Sequence, residues 1–386
     1  MKIAVLKETR AGERRVALVP ESCKKLIKDG YAIGVEAGAG ASAFFLDAAY
    51  QEAGASVESD AAALVRSADI VLKIHPPTAE PGRNEVQWMR PGTIVLASVM
   101  PLRNLDVVPA LAAAKVTAFS TDAIPRTTRA QSMDTLSAMN NIIGYKGVLI
   151  AATELNKYFP MLMTAAGMVF PAKVFVIGAA VAGLQAIATA RRLGANVMAT
   201  DVRPEVKEQI ESVGAKYVGI ELKESASAGG GYAKDLSEED KARQRQMLVE
   251  QLAQSDVVIT TALIGGVFAP RLITAEMVKS MRPGSVIVDL AADGGGNCEL
   301  SQPGETVEVQ GVRIVAPLNI PATMPTHASL LFSRNLVAFL QAFTKEQAFV
   351  FDLSDDIQQG CLITHDGKVV HERTKDALAK VGKGVA

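Results

Sequence analysis

Short apolar runs alternate with segments of helical period along most of this chain. The run at 174–177 has no polar position, which is typical of a parallel strand covered on both faces. Segments 21–28 and 60–66 have apolar residues at helical spacing, and short apolar strands lie between them. This alternation predicts an α/β doubly wound sheet.

A loose internal repeat supports the same fold class. SADIVL at 67–72 is followed by MRPGTIV at 89–95, and QSDVVI at 254–259 is followed by MRPGSVIV at 281–288. Each copy is consistent with a strand, a connection, the end of a helix, a Pro-Gly turn and a second strand. We therefore expect two related α/β halves.

The predicted architecture is α/β, with two Rossmann-like doubly wound domains and a cleft between them. We place an outer α/β domain at 1–130 and 325–386, and a nucleotide-binding Rossmann domain at 131–324. A cleft between two such domains is the expected ligand site.

Three segments complete the predicted organisation. Residues 135–158 are expected to form a long helix that joins the domains, and 328–342 a helix that returns to the first domain. Residues 349–371 are expected to form a β-hairpin around His365-Asp366-Gly367.

Length and composition narrow the class of protein. The 386 residues are enough for two domains, and 40 basic against 41 acidic residues give no indication of nucleic-acid or anionic-membrane binding. Cys23, Cys298 and Cys361 are too far apart for a CxxC pair, which favours a reducing compartment and no metal site. The first residues predict a strand rather than a signal peptide, and prolines interrupt the apolar stretch 159–180. We expect a soluble, intracellular protein that does not insert into a membrane.

The stretch KVFVIGAAVAGLQAIATARRLGANVMATDVR, which begins at Lys173, is the strongest functional signal. It predicts a strand, a glycine turn at Gly178, a helix that contains Gly183, and a second strand. The helix N-terminus would bind a pyrophosphate. Asp201, about 20 residues after the turn, would accept hydrogen bonds from an adenosine ribose. This pattern indicates a dinucleotide site.

One position departs from the usual glycine pattern. The turn is GAAVAG, so Ala180 replaces the middle glycine and its methyl group would push a pyrophosphate away from the backbone. A βαβ unit without a ligand is the alternative, and Asp201 favours the dinucleotide. The Asp201 carboxylate would also repel a 2′-phosphate, which favours NAD(H) over NADP(H), although Arg203 weakens this preference.

Two further segments have composition suited to ligand binding. SASAGGGYAK at 225–234 is rich in small residues and contains Tyr232, so it is either a lid over the cofactor or a solvated loop. RTTRAQSMD, which begins at Arg126, contains two arginines, a glutamine and Asp134. The alternative interpretation is a helix start that Asp134 caps, but a cap needs only one such residue.

The histidines give little indication of acid–base chemistry. None of the four has an obvious partner in the sequence, and each is expected to be structural: His75, His327, His365 and His371. Dehydrogenases of alcohols or amines normally position such a group, whereas hydride exchange between two nicotinamides transfers no proton. It needs proximity, orientation and exclusion of water.

Several longer motifs are specific enough to indicate a family. They are KETRAGERRVALVPE at Lys7, PRTTRAQSMD at Pro125, TAAGMVFPAKV at Thr164, ATDVRPEVKEQ at Ala199, GGYAK at Gly230, TTALIGG at Thr260 and DLAADGGGNCE at Asp289. With them the chain resembles, over nearly its whole length, the NAD(H)-binding component of proton-translocating nicotinamide nucleotide transhydrogenases.

The resemblance implies roles for individual residues. Arg126, Gln131 and Asp134 would hold the nicotinamide for transfer, and Ser137 its carboxamide. The cofactor-binding residues would be Gly178, Ala180, Val181, Gly183, Asp201, Val202, Arg203, Gly231, Tyr232, Ala233 and Leu263.

The resemblance also implies partners. Two copies would form a homodimer and dock on a membrane-embedded subunit that binds NADP(H), at the cytoplasmic side of the inner membrane. Hydride would pass from NADH to NADP⁺, coupled to proton movement through that partner. This chain would bind NAD(H) and would insert into no membrane.

Two other functions are open to test. Alanine dehydrogenases are similar and share residues that match Arg15, Lys73 and Asp293, but their acid–base histidine falls at Met100, which cannot carry a proton. A non-catalytic NAD(H) sensor would not need the junction segment that starts at Arg126. A further departure from the transhydrogenase pattern is Gly265-Gly266, where a proline-glycine pair is usual.

Overall fold

The computed structural model describes residues 1–220, 227–228, 232–233, 237–263 and 269–383. Contacts divide the chain into two compact units. Unit 1 comprises Met1–Met139 with Pro321–Ala386, and unit 2 comprises Asn140–Ile320.

The strands of the described residues follow one another in this order: β1 Lys2–Val5, β2 Ala32–Glu36, β3 Ser56–Glu58, β4 Ile70–Leu72, β5 Ala79–Glu80, β6 Arg83–Asn84, β7 Ile94–Ala97, β8 Thr117–Ser120, β9 Leu162–Thr164, β10 Gly167–Val169, β11 Lys173–Ile177, β12 Asn196–Thr200, β13 Lys216–Tyr217, β14 Ser227–Ala228, β15 Tyr232–Ala233, β16 Val257–Thr260, β17 Val286–Asp289, β18 Thr306–Val309, β19 Val312–Val315, β20 Thr344–Lys345, β21 Ala348–Phe349, β22 Leu362–His365 and β23 Lys368–Val369.

The α-helices follow in the same way: α1 Pro20–Lys28, α2 Asp47–Glu52, α3 Ala61–Ser67, α4 Glu85–Trp88, α5 Val107–Ala113, α6 Thr135–Glu154, α7 Val181–Arg192, α8 Val206–Ser212, α9 Glu238–Gln254, α10 Ala275–Lys279, α11 Pro325–Ala342, α12 Asp356–Cys361 and α13 Glu372–Lys383. Within the described residues, no helix combines the length and the apolar character needed to cross a membrane.

Unit 1 is built on an eight-stranded sheet with the order β23-β22-β8-β7-β4-β1-β2-β3. Its strands are parallel from β8 to β3, and β22 is antiparallel to both β8 and β23. The central strands are apolar at every position and fully buried, since helices cover a parallel sheet on both faces. The predicted α/β doubly wound class is confirmed for this unit.

Unit 2 has a seven-stranded sheet with the order β13-β12-β11-β16-β17-β19-β18. The chain proceeds outward from β11 in one direction to β13, then crosses to β16 and proceeds in the other. The direction in which the chain adds strands to the sheet therefore reverses between β11 and β16, which are parallel to each other. In open α/β sheets, ligands bind outside the carboxyl ends of the strands at such a reversal. This topology predicts a ligand site at the residues directly after Ile177, where β11 ends.

The internal repeat is confirmed. β4 pairs in parallel with β7, and β16 pairs in parallel with β17. The Pro-Gly turn that precedes the second strand of each pair has its glycine in the left-handed region, with φ of 84° at Gly92 and 85° at Gly284. The same kind of Pro-Gly turn therefore precedes β7 in one sheet and β17 in the other.

The predicted helix 135–158 is too long, because α6 ends at Glu154. Pro160 disfavours a helical conformation at Phe159, and the Phe159 carbonyl instead accepts the Ala172 N–H at 3.1 Å. The buried side chains of Leu155 and Phe159 both pack into the core of unit 2.

The predicted hairpin 349–371 is also too long. The hairpin is restricted to β22 and β23, joined by Asp366 and Gly367 with φ of 45° and 76°. Two positive φ angles define the turn that suits a two-residue hairpin loop. Part of the remaining segment forms α12, because the Asp355 carboxylate accepts the N–H groups of Ile357 and Gln358 and starts a helix there.

Candidate nucleotide site

The turn after β11 depends on Gly178. Its φ is 91°, its N–H donates to the Thr200 carbonyl at 2.9 Å, and its carbonyl accepts the Thr261 hydroxyl at 3.0 Å. A Cβ at this position would lie 2.7 Å from the Thr261 hydroxyl oxygen. Three neighbouring strand ends are therefore connected at the carboxyl edge of the sheet.

Gly183 allows helix α7 to begin directly against this turn. A Cβ at Gly183 would lie 1.9 Å from the Gly178 carbonyl oxygen, so only glycine fits. Within the described residues, no side chain caps the helix, whose N-cap is Ala180 and whose first residue is Val181. The first-turn N–H groups thus have no side-chain acceptor there, as in helix N-termini that bind phosphate.

Asp201 joins the turn to the end of β12. Its Oδ2 accepts the Ala179 N–H at 2.8 Å and its Oδ1 accepts the Arg203 N–H at 3.0 Å. The Arg203 guanidinium donates to both carboxylate oxygens at 2.9 Å, and this hydrogen bonding raises the pKa of Arg203. Val202 lies between them, half-buried. Because Arg203 offsets the carboxylate charge, Asp201 would repel a 2′-phosphate less than an unpaired aspartate.

Asn297, to which the sequence reasoning assigned no role, holds the segment after β16. It is fully buried and exchanges two hydrogen bonds with the Ala262 backbone, at 3.0 and 2.9 Å, and donates to the Pro270 carbonyl at 2.8 Å. These contacts fix the backbone next to half-buried Leu263. Asn297 belongs to the DLAADGGGNCE motif, and membership of this motif was the only indication in the sequence that Asn297 has a role.

The segment 225–234, predicted to be a lid or a solvated loop, is described only at residues 227–228 and 232–233, and its other residues lie outside the described part of the chain. Tyr232 and Ala233 form β15, which pairs with β14 through the backbone. Gly231 and the Gly265-Gly266 pair lie outside the described residues.

The four predicted catalytic residues line one concavity in unit 1. Its wall is formed by Pro125, Arg126, Thr127, Thr128, Ala130, Gln131, Asp134 and Ser137. We call residues 125–137 the junction loop. It contains the 3-10 helix Thr128–Met133 and the first residues of helix α6, which starts at Thr135.

Asp134 caps helix α6, which was the alternative interpretation from the sequence, and it also lines the concavity. Its Oδ1 accepts the Ser137 N–H at 2.8 Å, which caps helix α6, and its Oδ2 accepts the Ser137 hydroxyl at 2.6 Å. Arg126 Nε lies 4.0 Å from the same Oδ2. A cation, a carboxylate and a hydroxyl thus converge on one surface, where they can orient an uncharged polar group.

The expectation that no histidine has an acid–base partner was wrong for His75. Its Nε2 lies 2.7 Å from Glu13 Oε2, and Glu13 also accepts two hydrogen bonds from the Arg15 guanidinium, at 2.8 and 2.7 Å. Burial alone would raise the pKa of Glu13, but the hydrogen bonds from Arg15 and His75 lower it. Glu13 and His75 are far apart in sequence, so their pairing could not be inferred from spacing.

The other residues shared with alanine dehydrogenases also have partners within the chain. Lys73 is 1% exposed, with its Nζ 3.0 Å from a Glu85 oxygen and 3.6 Å from a Glu8 oxygen. In unit 2, Asp293 accepts the Asn319 N–H at 3.2 Å. The backbone N–H of Met100, the position that the resemblance matches to the acid–base histidine, donates to Asp122.

Comparison with known families covers nearly all of the chain. The family description "Alanine dehydrogenase/PNT, N-terminal domain" matches residues 4–143, and "Alanine dehydrogenase/PNT, C-terminal domain" matches residues 147–372. The chain belongs to the alanine dehydrogenase/PNT family.

Within the alanine dehydrogenase/PNT family the transhydrogenases are the more similar group, as predicted. The chain is 48% identical to an NAD(P) transhydrogenase alpha subunit of Rhodospirillum rubrum over 376 residues, which is 96% of this chain and 98% of the relative. The crystal structure of a transhydrogenase from Sinorhizobium meliloti matches with a TM-score of 0.87 and 45% identity, over 96% of this chain and 100% of that one. The chain is therefore placed with the transhydrogenase alpha subunits.

Alanine dehydrogenases are more distant members of the same family. An L-alanine dehydrogenase structure matches with a TM-score of 0.80 but 26% identity, over 99% of this chain and 100% of that one. The two groups share the two-domain α/β fold, so the fold alone does not distinguish their reactions.

Proposed function

We propose that this chain binds NAD(H) and transfers hydride between it and NADP(H) that a partner subunit holds. The observation that supports this most directly is the concavity of the junction loop. It brings together Arg126, Gln131, Asp134 and Ser137, and its described lining contains neither histidine nor lysine. Such a surface can orient a nicotinamide, and it lacks the histidine or lysine that a dehydrogenase of an alcohol or amine usually positions as its acid–base group.

The turn of unit 2 supports binding of the dinucleotide. Gly178 and Gly183 leave the N-terminus of helix α7 open to a pyrophosphate, and Asp201 lies at the end of the adjacent strand. We assign Ala180 and Val181 to the pyrophosphate, and Asp201 with Val202 and Arg203 to the adenosine ribose. Tyr232 and Leu263 are assigned to the same nucleotide from the resemblance.

The chemistry asks little of the protein beyond orientation. The bound nicotinamides would supply the chemistry, a hydride transfer in which no proton has to be added or removed. Arg126, Gln131 and Asp134 would hold the nicotinamide ring, and Ser137 its carboxamide, because holding reactants in near-attack geometry lowers the barrier to their reaction. The proton movement coupled to this step would take place in the membrane partner.

An exposed apolar hairpin supports the proposed homodimer. In β9 and β10, Met163 is 77% exposed, and Phe170 directly after them is 74% exposed. A two-stranded hairpin is marginally stable alone in water, and a contiguous apolar patch on a soluble surface marks an interaction site. We propose that a second copy of the chain covers this hairpin, and that the dimer associates with the inner membrane through its partner subunit.

Charged substitutions in the hairpin test the dimer. We expect Met163→Glu and Phe170→Glu to convert the protein to a monomer, because each would bury a charge in the interface. Light scattering coupled to gel filtration measures the mass. Leu46→Glu, at a site in unit 1 that is 64% exposed, is the control and should leave the dimer intact. Dimers in all three variants would exclude the hairpin as the interface.

Two parallel assays of the purified chain with NADH test the proposed function. One contains NADP⁺ and the NADP(H)-binding domain of a transhydrogenase, and the other contains pyruvate and ammonium. Reduction of NADP⁺ in the first assay alone is the expected result. Oxidation of NADH with pyruvate and ammonium would instead establish an amino-acid dehydrogenase, with Lys73, His75 and Asp293 as the first residues to substitute.

A further inference from the structure

Arg129, the second arginine of the junction loop, does not line the concavity. Its Nη1 donates to Asp355 Oδ2 at 2.6 Å, and its Nη2 is paired with Asp356. Both carboxylates belong to the start of helix α12, which is distant in sequence but lies in the same unit. Arg129 therefore connects the loop to a second element.

The Asp355 carboxylate makes this connection rigid. Its Oδ1 accepts the N–H groups of Ile357 and Gln358, at 2.9 and 3.1 Å, while its Oδ2 accepts Arg129. The hydrogen bond from Arg129 lowers the pKa of Asp355, so the carboxylate is charged at neutral pH. One side chain thus caps helix α12 and holds the loop at the same time.

Two other contacts attach the loop to unit 1. A Cβ at Gly360 would lie 2.5 Å from Pro125 Cγ, so α12 packs closely against the beginning of the loop. Asn335 of helix α11 donates to the Ser132 carbonyl at 2.8 Å. Arg129 lies between Pro125 and Ser132, in the segment of the loop that contains Arg126 and Gln131.

The backbone of the loop forms a 3-10 helix of six residues, Thr128–Met133. At its two ends the Ala130 N–H donates to the Thr127 carbonyl at 3.1 Å and the Asp134 N–H donates to the Gln131 carbonyl at 3.4 Å. Helices of this type have poorer hydrogen-bond geometry than α-helices, and runs longer than three or four residues are uncommon. The loop conformation therefore depends on its side-chain anchors.

We propose that Arg129 is a positioning residue, whose pairing with Asp355 and Asp356 fixes the junction loop and so the arrangement of Arg126, Gln131 and Asp134. The effect of Arg129 on hydride transfer rests on the proposed function. Its effect on the conformation of the junction loop does not depend on that function. An exposed ion pair contributes little to global stability. A shift of about 1 Å in a substrate-orienting group is nevertheless costly to the rate.

Hydrogen–deuterium exchange of the peptide 126–137 tests the conformational element. In Arg129→Ala and in Asp355→Asn we expect its amides to exchange about tenfold faster than in the unsubstituted protein, because local opening becomes easier. Asparagine is as good an N-cap as aspartate, so Asp355→Asn removes the charge and keeps helix α12.

The control is Arg90→Ala, which removes another ion pair of unit 1. Arg90 is 54% exposed and Arg129 is 53% exposed, so the two substitutions are matched in residue type and exposure. Exchange in 126–137 should be unchanged in Arg90→Ala. Equal exchange in all variants and the unsubstituted protein would overturn the proposal.

A double-variant cycle tests whether Arg129 acts through Asp355. The combined variant should exchange no faster than Arg129→Ala alone, because that substitution already removes the pairing with Asp355, and additive effects would contradict this. In the NADP⁺ assay, Arg129→Ala should lower kcat about tenfold with the KM for NADH unchanged, and Arg129→Lys should restore some of the rate. A rate equal to that of Arg90→Ala would refute the positioning role. An unsubstituted protein that reduces no NADP⁺ would reject the proposed function and leave the exchange result valid.

Discussion

Asp134→Asn is expected to slow hydride transfer about a hundredfold while the affinity for NADH stays nearly unchanged. The Asp134 carboxylate accepts the Ser137 hydroxyl and lies near Arg126, so its charge orders two of the four proposed nicotinamide-binding side chains. Asparagine retains an oxygen for the Ser137 N–H and so keeps the helix cap. Single-turnover transfer to NADP⁺ and fluorescence titration with NADH measure the two quantities separately.

The matched control for this variant is Asp60→Asn. Asp60 caps helix α3 by accepting the Ala63 N–H at 2.9 Å, in the same way as Asp134 caps α6, but it does not line the concavity. It should transfer hydride at the unsubstituted rate. Unchanged transfer in Asp134→Asn, or an equal loss in both variants, would contradict the assigned role of the charge.

Gly183→Ala is expected to lower the free energy of unfolding by about 3 kcal/mol and to abolish detectable NADH binding. The new methyl group would clash with the Gly178 backbone carbonyl, which no side-chain rotation can relieve. Helix α7 would have to move away from the turn, and the N–H groups proposed for the pyrophosphate would move with it. Denaturant unfolding and the NADH titration give the two effects.

Gly284→Ala separates this clash from the general cost of replacing a glycine. Gly284 has a φ of 85° and no described neighbour within 4 Å of the added Cβ, so its substitution costs only the left-handed strain, about 1 kcal/mol. NADH binding should be retained. If Gly183→Ala were no more destabilising than Gly284→Ala, the tight packing of helix α7 on the turn would be refuted.

Features encoded locally could be predicted from the sequence. The strand, turn and helix around Gly178 were correctly placed because the apolar run, the two glycines and the helical spacing all lie within about one βαβ unit. The Pro-Gly turns of the repeat were equally clear. Helix α12 was missed, since a six-residue helix has too few positions to show a period and its signal was limited to the cap at Asp355.

Contacts between distant segments could not be predicted from one sequence. Glu13 and His75, Ala262 and Asn297, and Arg129 and Asp355 meet only when the folded sheets bring distant segments together. The residue types were visible, but nothing in their spacing indicated the pairs. The junction-loop roles came from family resemblance and remain predictions, although the structure places Arg126, Gln131, Asp134 and Ser137 on one surface.

The central claim is that hydride passes directly from NADH to NADP⁺ without an acid–base group of this chain. It is tested most directly with NADH deuterated at both C4 positions, NADP⁺ and the NADP(H)-binding partner in ordinary water. Mass spectrometry of the NADPH formed should show one deuterium per molecule. NADPH that contains hydrogen from the solvent would contradict direct transfer.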